Sequence, residues 1–145
     1  MNKQILISTQ IDGAQLVEDV IVTALEGGSN YWYWIKIDEH WFEVAKRYDI
    51  QLAKNENPPR TSANPVTIRI SNALLNVENF SMNVYDLEDP DERLGALSKE
   101  SFVKGCELCA VKYPNVWANL LTGNYDANDA DVLFQLAVMG DVVFG

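Results

Sequence analysis

The stretch that most limits the fold is a change of period across a glycine pair. Residues 14–26, AQLVEDVIVTALE, place Leu16, Val17, Val20, Ile21, Ala24 and Leu25 at helical spacing, with Glu18, Asp19 and Thr23 elsewhere. Asp12 supplies an N-cap oxygen, and Gly27-Gly28 offers the left-handed backbone that ends a helix. Residues 30–38, NYWYWIKID, are then rich in aromatics and isoleucine and predict a strand. With residues 3–10, KQILISTQ, as an opening strand, the chain starts β-α-β, an order that goes with parallel pairing.

Further along, residues 40–48 predict a short helix that gathers Trp41, Val44, Ala45 and Tyr48. KNENPPRTSANP, residues 54–65, is a polar, proline-containing mobile loop. VTIRIS (66–71) and FSMNVYDL (80–87) alternate as an antiparallel pair of strands, and EDPDE (88–92) is an exposed acidic turn. Ser98 caps a helix that runs to Lys112 and is closed by Pro114. A short helix follows over 116–121, stopped at Gly123-Asn124, and another over 128–139 ends at Gly140. VVFG, 142–145, predicts a last strand. There is no internal repeat. A chain of 145 residues can bury a core without metal or disulfide staples. The expectation is one compact α+β domain over 1–145: a mixed sheet of about four to five strands carrying helices, with a helical C-terminal third.

Charge narrows the function classes. Twenty-one acidic against eleven basic residues leave a net charge of −10, with a pI near 4.4. Such a field repels nucleic acid and anionic membranes and favours basic partners. Ile5-Leu6-Ile7 is too short for a signal-peptide core, and no apolar run approaches the ~20 residues that span a bilayer. A cytoplasmic protein is expected, without direct nucleic-acid or membrane binding.

Two stretches carry a resemblance. Ala24, Glu26, Gly27, Gly28, Tyr31 and Trp32 spell A-x-E-G-G-x-x-Y-W. Asp126, Ala127, Ala130, Asp131, Gln135, Ala137, Gly140 and Gly145 spell a closing D-A-x-x-A-D-x-x-x-Q-x-A-x-x-G-x-x-x-x-G. In these the chain resembles a family of small, uncharacterised proteins of bacteriophages and other mobile elements. Met139 and Phe144 stand where that pattern has an aromatic residue and a tyrosine. The resemblance implies no activity. It implies an accessory factor that acts on host machinery, in the host cytoplasm.

Candidate sites begin with the aromatic run. In an extended chain side chains alternate, so Tyr31, Tyr33, Ile35 and Ile37 share a core face, and Trp32, Trp34, Lys36 and Asp38 share the other. If a helix covers that second face, the Trp pair is core. If none does, the indoles make a platform for a flat ligand or an anchor at an interface, an oligomer interface included. Glu26 sits in the last helical turn, where the dipole disfavours a carboxylate by roughly 0.3–1 kcal/mol, which invites a partner such as Arg69 or a ligand's donor group. The ligand set is therefore Glu26, Tyr31, Trp32, Trp34, Lys36 and Arg69, with the cations meeting the phosphate of a nucleotide-like molecule. A second surface is the acidic run Asp86, Glu88, Asp89, Asp91 and Glu92, either a solvated loop or a face that mimics phosphates towards a basic protein.

Other motifs read as structural. Cys106 and Cys109 lie mid-helix with both thiols turned to the core, not at a helix start where a redox pair gains its low pKa. Zinc lacks ligands beyond His40, and no nucleophile motif accompanies that histidine. Asp126, Asn128, Asp129 and Asp131 suggest a calcium loop but have Asp131 at its glycine position and Ala137 at its glutamate position. They suit a helix N-terminus instead. The sequence thus points to a non-enzymatic binding protein, without metal or cofactor and homo-oligomeric, that sequesters or blocks a host component, as in inhibition of host defence. The alternatives are a small enzyme using Glu26 or Asp131 with His40, and a structural particle protein.

Overall fold

The computed structural model describes residues 4–5, 10–36 and 39–145. The expected strand over 3–10 falls mostly outside the described residues. Among them, six helices and a three-stranded antiparallel sheet follow one another. They are α1 (Gly13–Thr23), β1 (Tyr33–Trp34), α2 (His40–Asn55), α3 (Val66–Asn76), β2 (Ser81–Asp86), β3 (Arg93–Ser98), α4 (Lys99–Lys112), α5 (Pro114–Thr122) and α6 (Ala127–Met139). No described helix is long and apolar enough to cross a membrane.

The helix ends obey local chemistry. The Asp12 carboxylate accepts from the Gln15 N–H at 3.1 Å, capping α1. Ser98 and Ser101 cap α4 reciprocally, and Gly123 and Gly140 end α5 and α6 in the left-handed conformation, at φ 78° and 76°. Asp126 and Asp129 cap α6 in the same reciprocal way, which accounts for two acids of the apparent calcium loop.

The glycine pair acts differently from expectation. The backbone widens into a π-helical turn over Ala24–Gly28, closed by the Ser29 N–H on the Ala24 carbonyl at 2.8 Å, and neither glycine has a positive φ. Gly28 is needed for contact instead, because a Cβ there would lie 2.7 Å from the Ala127 carbonyl oxygen.

The sheet has order β1-β2-β3, not the expected mixture of four to five strands. Residues 66–71 form the start of α3, because Ile70, Ser71, Ala73 and Leu74 are buried at helical spacing against α1 and α2. That burial outweighs the β-branched character of VTIRIS. The true partner of β2 is β3, with Ser81 opposite Ser98 and Met82 opposite Leu97. Residues 142–145 form no strand, and of the expected strand over 30–38, β1 covers two of the seven described residues, 30–36. No parallel pairing occurs among the described strands.

α6 is the central element. Its residues Asp129, Ala130, Asp131 and Leu133 through Val138 are buried, and it packs against α1, α4, α5, β3 and the π-helical turn. Close approach needs small residues opposite it: a Cβ on Gly95 of β3 would sit 2.0 Å from the Val138 carbonyl oxygen, and one on Gly105 of α4 2.8 Å from the Ala137 nitrogen. The 54–65 loop is fastened to α2 through buried Asp49. Its carboxylate takes Arg60 Nη2 at 2.8 Å, and the Asn64 N–H and amide at 3.1 and 2.9 Å. Burial works to raise this carboxyl's pKa, but Arg60 and Asn64 together hold it below its ordinary value.

Candidate functional site

The aromatic run divides into two sites, because the extended backbone begins at Tyr33, two residues after the Tyr31 from which the alternation is counted. Tyr31 and Trp32 belong to a turn, with the Trp32 N–H on the Ser29 carbonyl at 3.1 Å, and the strand starts at Tyr33. Trp32 is only 2% exposed. Its ring lies 5.5 Å from Phe134 and is stacked on Phe144 at 5.3 Å and 10°. Trp34 is 40% exposed and looks outward. The two indoles therefore form no common wall: Trp32 is core and Trp34 is surface.

What Trp32 joins is a polar node around Asp131, which is 6% exposed. One carboxylate oxygen, Oδ1, accepts from Ser29 Oγ at 2.6 Å and Trp32 Nε1 at 2.8 Å. The other accepts from the Tyr31 hydroxyl at 2.6 Å and Gln135 Nε2 at 3.0 Å. Four donors replace water around the charge, so it can be buried without a cation. Gln135 extends the node to the C-terminal segment. Its Oε1 accepts the Val143 and Phe144 N–H groups at 2.8 and 2.9 Å, and its Nε2 donates to the Phe144 carbonyl at 3.0 Å. The Tyr31 pKa is pushed up to about 12, first by desolvation and then by the Asp131 hydrogen bond and charge. With every lone pair in use, Asp131 is poorly placed to act as an acid or base.

The second site lies at Trp34. A hollow of about 330 Å³ is lined by Tyr33, Trp34, Ile35, Val66, Thr67 and Leu87 above Leu25, Phe42 and Ile70. Trp34, Val66 and Leu87 are each 40–42% exposed, so three large apolar side chains meet solvent around one opening. Leu87 is held there by its N–H on the Trp32 carbonyl at 2.9 Å. From Leu87 the chain enters the acidic turn at once, and β3 begins at Arg93. Asp86 Oδ1 accepts the Glu88 N–H at 2.9 Å and the Asp89 carbonyl the Glu92 N–H at 2.9 Å, which shapes the turn. The carboxylates of Glu88, Asp91 and Glu92 accept no hydrogen bond or ion pair among the described residues. Arg93, the nearest cation in sequence, donates instead to Asn83 Oδ1 at 2.8 Å.

The remaining expected ligand residues are dispersed. Glu26 Oε1 accepts from Thr67 Oγ1 at 2.7 Å, tying the π-helical turn to α3 rather than binding Arg69. Arg69 Nε is buried without a hydrogen-bond partner among the described residues, and Arg69 does not line the hollow. Lys36 Nζ sits 4.2 Å over the Tyr85 ring, a cation–π contact on the strand opposite Trp34. Trp34 alone of the six expected ligand residues borders the hollow. Leu87, Val66 and Ser29 escaped the sequence reading. Leu87 left a signal, an apolar residue against a run of acids, whereas Ser29 left none.

His40 is exposed at the start of α2, and no hydrogen bond among the described residues joins it to Glu26 or Asp131. Cys109 is buried and Cys106 half-buried. Burial first, then neighbouring charge, pushes their thiols up to about 11 and about 12, keeping both protonated. No group of three or more His, Cys, Asp or Glu among the described residues could hold a metal ion. Comparison with protein-family models, curated proteins and solved structures finds no match.

Proposed function

We propose that this is a non-enzymatic binding protein of a phage or mobile element that docks on a basic surface of a host protein. It does so with the β2–β3 acidic turn and the adjoining Trp34 edge, and so blocks what that surface would otherwise bind, nucleic acid being the natural competitor. The observation that carries this reading is adjacency. Carboxylates without partners among the described residues and three exposed apolar side chains are held side by side by β1–β2 pairing and the Leu87–Trp32 bond. Apolar anchors beside unpaired charge are what a docking face needs: the first supplies affinity and the second supplies steering and selectivity. Stacking of a nucleotide-like ligand is less well supported, because Trp32 is committed to the Asp131 node and to Phe144.

The test is capture of host proteins on the immobilised chain, at low and at roughly half-molar salt, where the Debye length falls below ~5 Å. The wild type is compared with a Glu88→Gln, Asp91→Asn, Glu92→Gln variant, chosen because these side chains hold no bond among the described residues. A basic protein retained by the wild type should be released by salt, by added nucleic acid and by the triple substitution. Capture indifferent to all three would sink the docking reading.

A further inference from the structure

The hollow beside Trp34 has a direction. Neighbouring residues of an extended segment point to opposite faces. A hollow touched by Tyr33, Trp34 and Ile35 alike therefore reaches the edge of β1 as well as the face that Trp34 shares with Leu87. That is the edge β2 leaves free among the described residues, since β1 is terminal among the described strands. The hydrogen-bond phase agrees. The Leu87 N–H reaches the Trp32 carbonyl, while the Asp86 N–H turns the other way, to the Glu92 carbonyl at 3.0 Å. With Trp34 opposite Tyr85, antiparallel alternation aims the Trp34 peptide groups at β2 and those of Tyr33 and Ile35 outward, towards the hollow. The far wall is α3, through Val66, Thr67 and Ile70.

Resting on the docking function proposed above, we infer that β1 receives an extended segment of the partner by strand addition between β1 and α3. The segment's apolar centre fills the hollow and its flanking Lys or Arg residues meet the turn carboxylates beyond Leu87 and the Glu26 carboxylate. Main-chain bonds to Tyr33 and Ile35 would give affinity, and the hollow would select the side chain. Charge fixes the flanks. Beyond Leu87 stand Glu88, Asp89, Asp91 and Glu92, and from the π-helical turn Glu26 reaches Thr67 of the α3 wall. Two-residue edges commonly serve only to blunt a sheet against unwanted pairing. Here the apolar exposure around the opening distinguishes a receptor edge from a blunted one. A second copy of the chain is a poor occupant, because each carries a net charge of −10.

The probe is a synthetic peptide with a Val-Leu-Val centre flanked by two lysines on each side. It is accompanied by a version N-methylated on alternate backbone amides and by a helix-forming peptide of matched charge. Amide exchange and chemical shifts of the intact protein are followed by NMR. The expected result is slowed exchange at the Tyr33 and Ile35 amides, movement of the Trp34 indole signal, and about tenfold weaker binding after N-methylation, the equivalent of one to two lost main-chain bonds. Binding that tolerates N-methylation, an equal preference for the helical peptide, or no protection of those amides at millimolar peptide overturns strand addition. Concentration-dependent protection without peptide overturns it in favour of a second copy. These outcomes are separable from the docking function itself, which stands or falls with the salt and acid dependence of host-protein capture.

Discussion

Replacing Asp131 by Asn tests the polar node with almost no change of shape. The carboxylate serves two donors on each oxygen: Ser29 Oγ and Trp32 Nε1 on one, the Tyr31 hydroxyl and Gln135 Nε2 on the other. An amide can offer its oxygen to one pair only. With that oxygen towards Ser29 and Trp32, its NH2 faces Tyr31, whose hydroxyl can turn to accept, and Gln135 Nε2, which cannot. Flipping the Gln135 amide would cure that clash but break the bonds its Oε1 accepts from Val143 and Phe144. One buried donor is thus orphaned, at about 1–3 kcal/mol, and the surviving bonds lose their charge assistance. Relief of carboxylate desolvation works the other way but is small where four fixed donors already stand in for water. The expected loss is roughly 2–4 kcal/mol, or about 8–16 °C in Tm for a chain of this size. Urea unfolding followed by Trp fluorescence should show a lower midpoint with an unchanged m value. Ser29→Ala, which leaves the carboxylate three donors, should lose only about 1 kcal/mol. A loss under ~0.5 kcal/mol for Asp131→Asn, the scale of an ordinary surface substitution, would refute the claim that fixed donors hold the charge.

Two further outcomes follow from packing and from titration. Gly105→Ala ought to stabilise an isolated helix by about 1 kcal/mol, yet here the new Cβ meets the Ala137 backbone at 2.8 Å. Thermal unfolding should therefore show a net loss of roughly 1–3 kcal/mol, and a gain would mean that α4 and α6 can move apart freely. Tyr31, with its pKa raised to about 12 from the ordinary 10, favours the folded state through its neutral phenol. That contribution is complete below pH 10 and is lost as pH climbs from 10 towards 12. The two thiols titrate in the same range, so the wild type must be compared with Tyr31→Phe. The substitution should remove one late step from the ultraviolet phenolate titration and flatten the loss of stability across that window; identical curves would detach Tyr31 from the node.

What was legible in the sequence acts over a few residues. Asp12 and Ser98 mark helix ends by side-chain bonds to backbone N–H groups within one turn, Pro114 by its fixed φ and missing N–H, and Gly123 and Gly140 by left-handed backbone, so α1, α4, α5 and α6 could be placed from pattern alone. What stayed hidden depends on remote partners. α3 looks like a strand until α1 and α2 bury Ile70 and Leu74 on one helical side, and β3 looks like a loop because Gly95 answers to α6, not to its own strand. The Trp32 and Trp34 side chains part because a turn tied to Asp131, 99 residues from Trp32, keeps Tyr31 and Trp32 out of the strand, which starts at Tyr33. That same joint bears on the phage-protein resemblance. The two stretches that carry it are brought together here, with Gly28 against Ala127, and Tyr31 and Trp32 on Asp131 beside Gln135. Residues so engaged define how the molecule closes. The Trp34 and Leu87 side chains and the carboxylates of Glu88, Asp91 and Glu92 lie outside both stretches and make no hydrogen bond to that joint among the described residues. A surface free of structural duty can be matched to a particular partner without disturbing the joint, and that is where target choice should be sought.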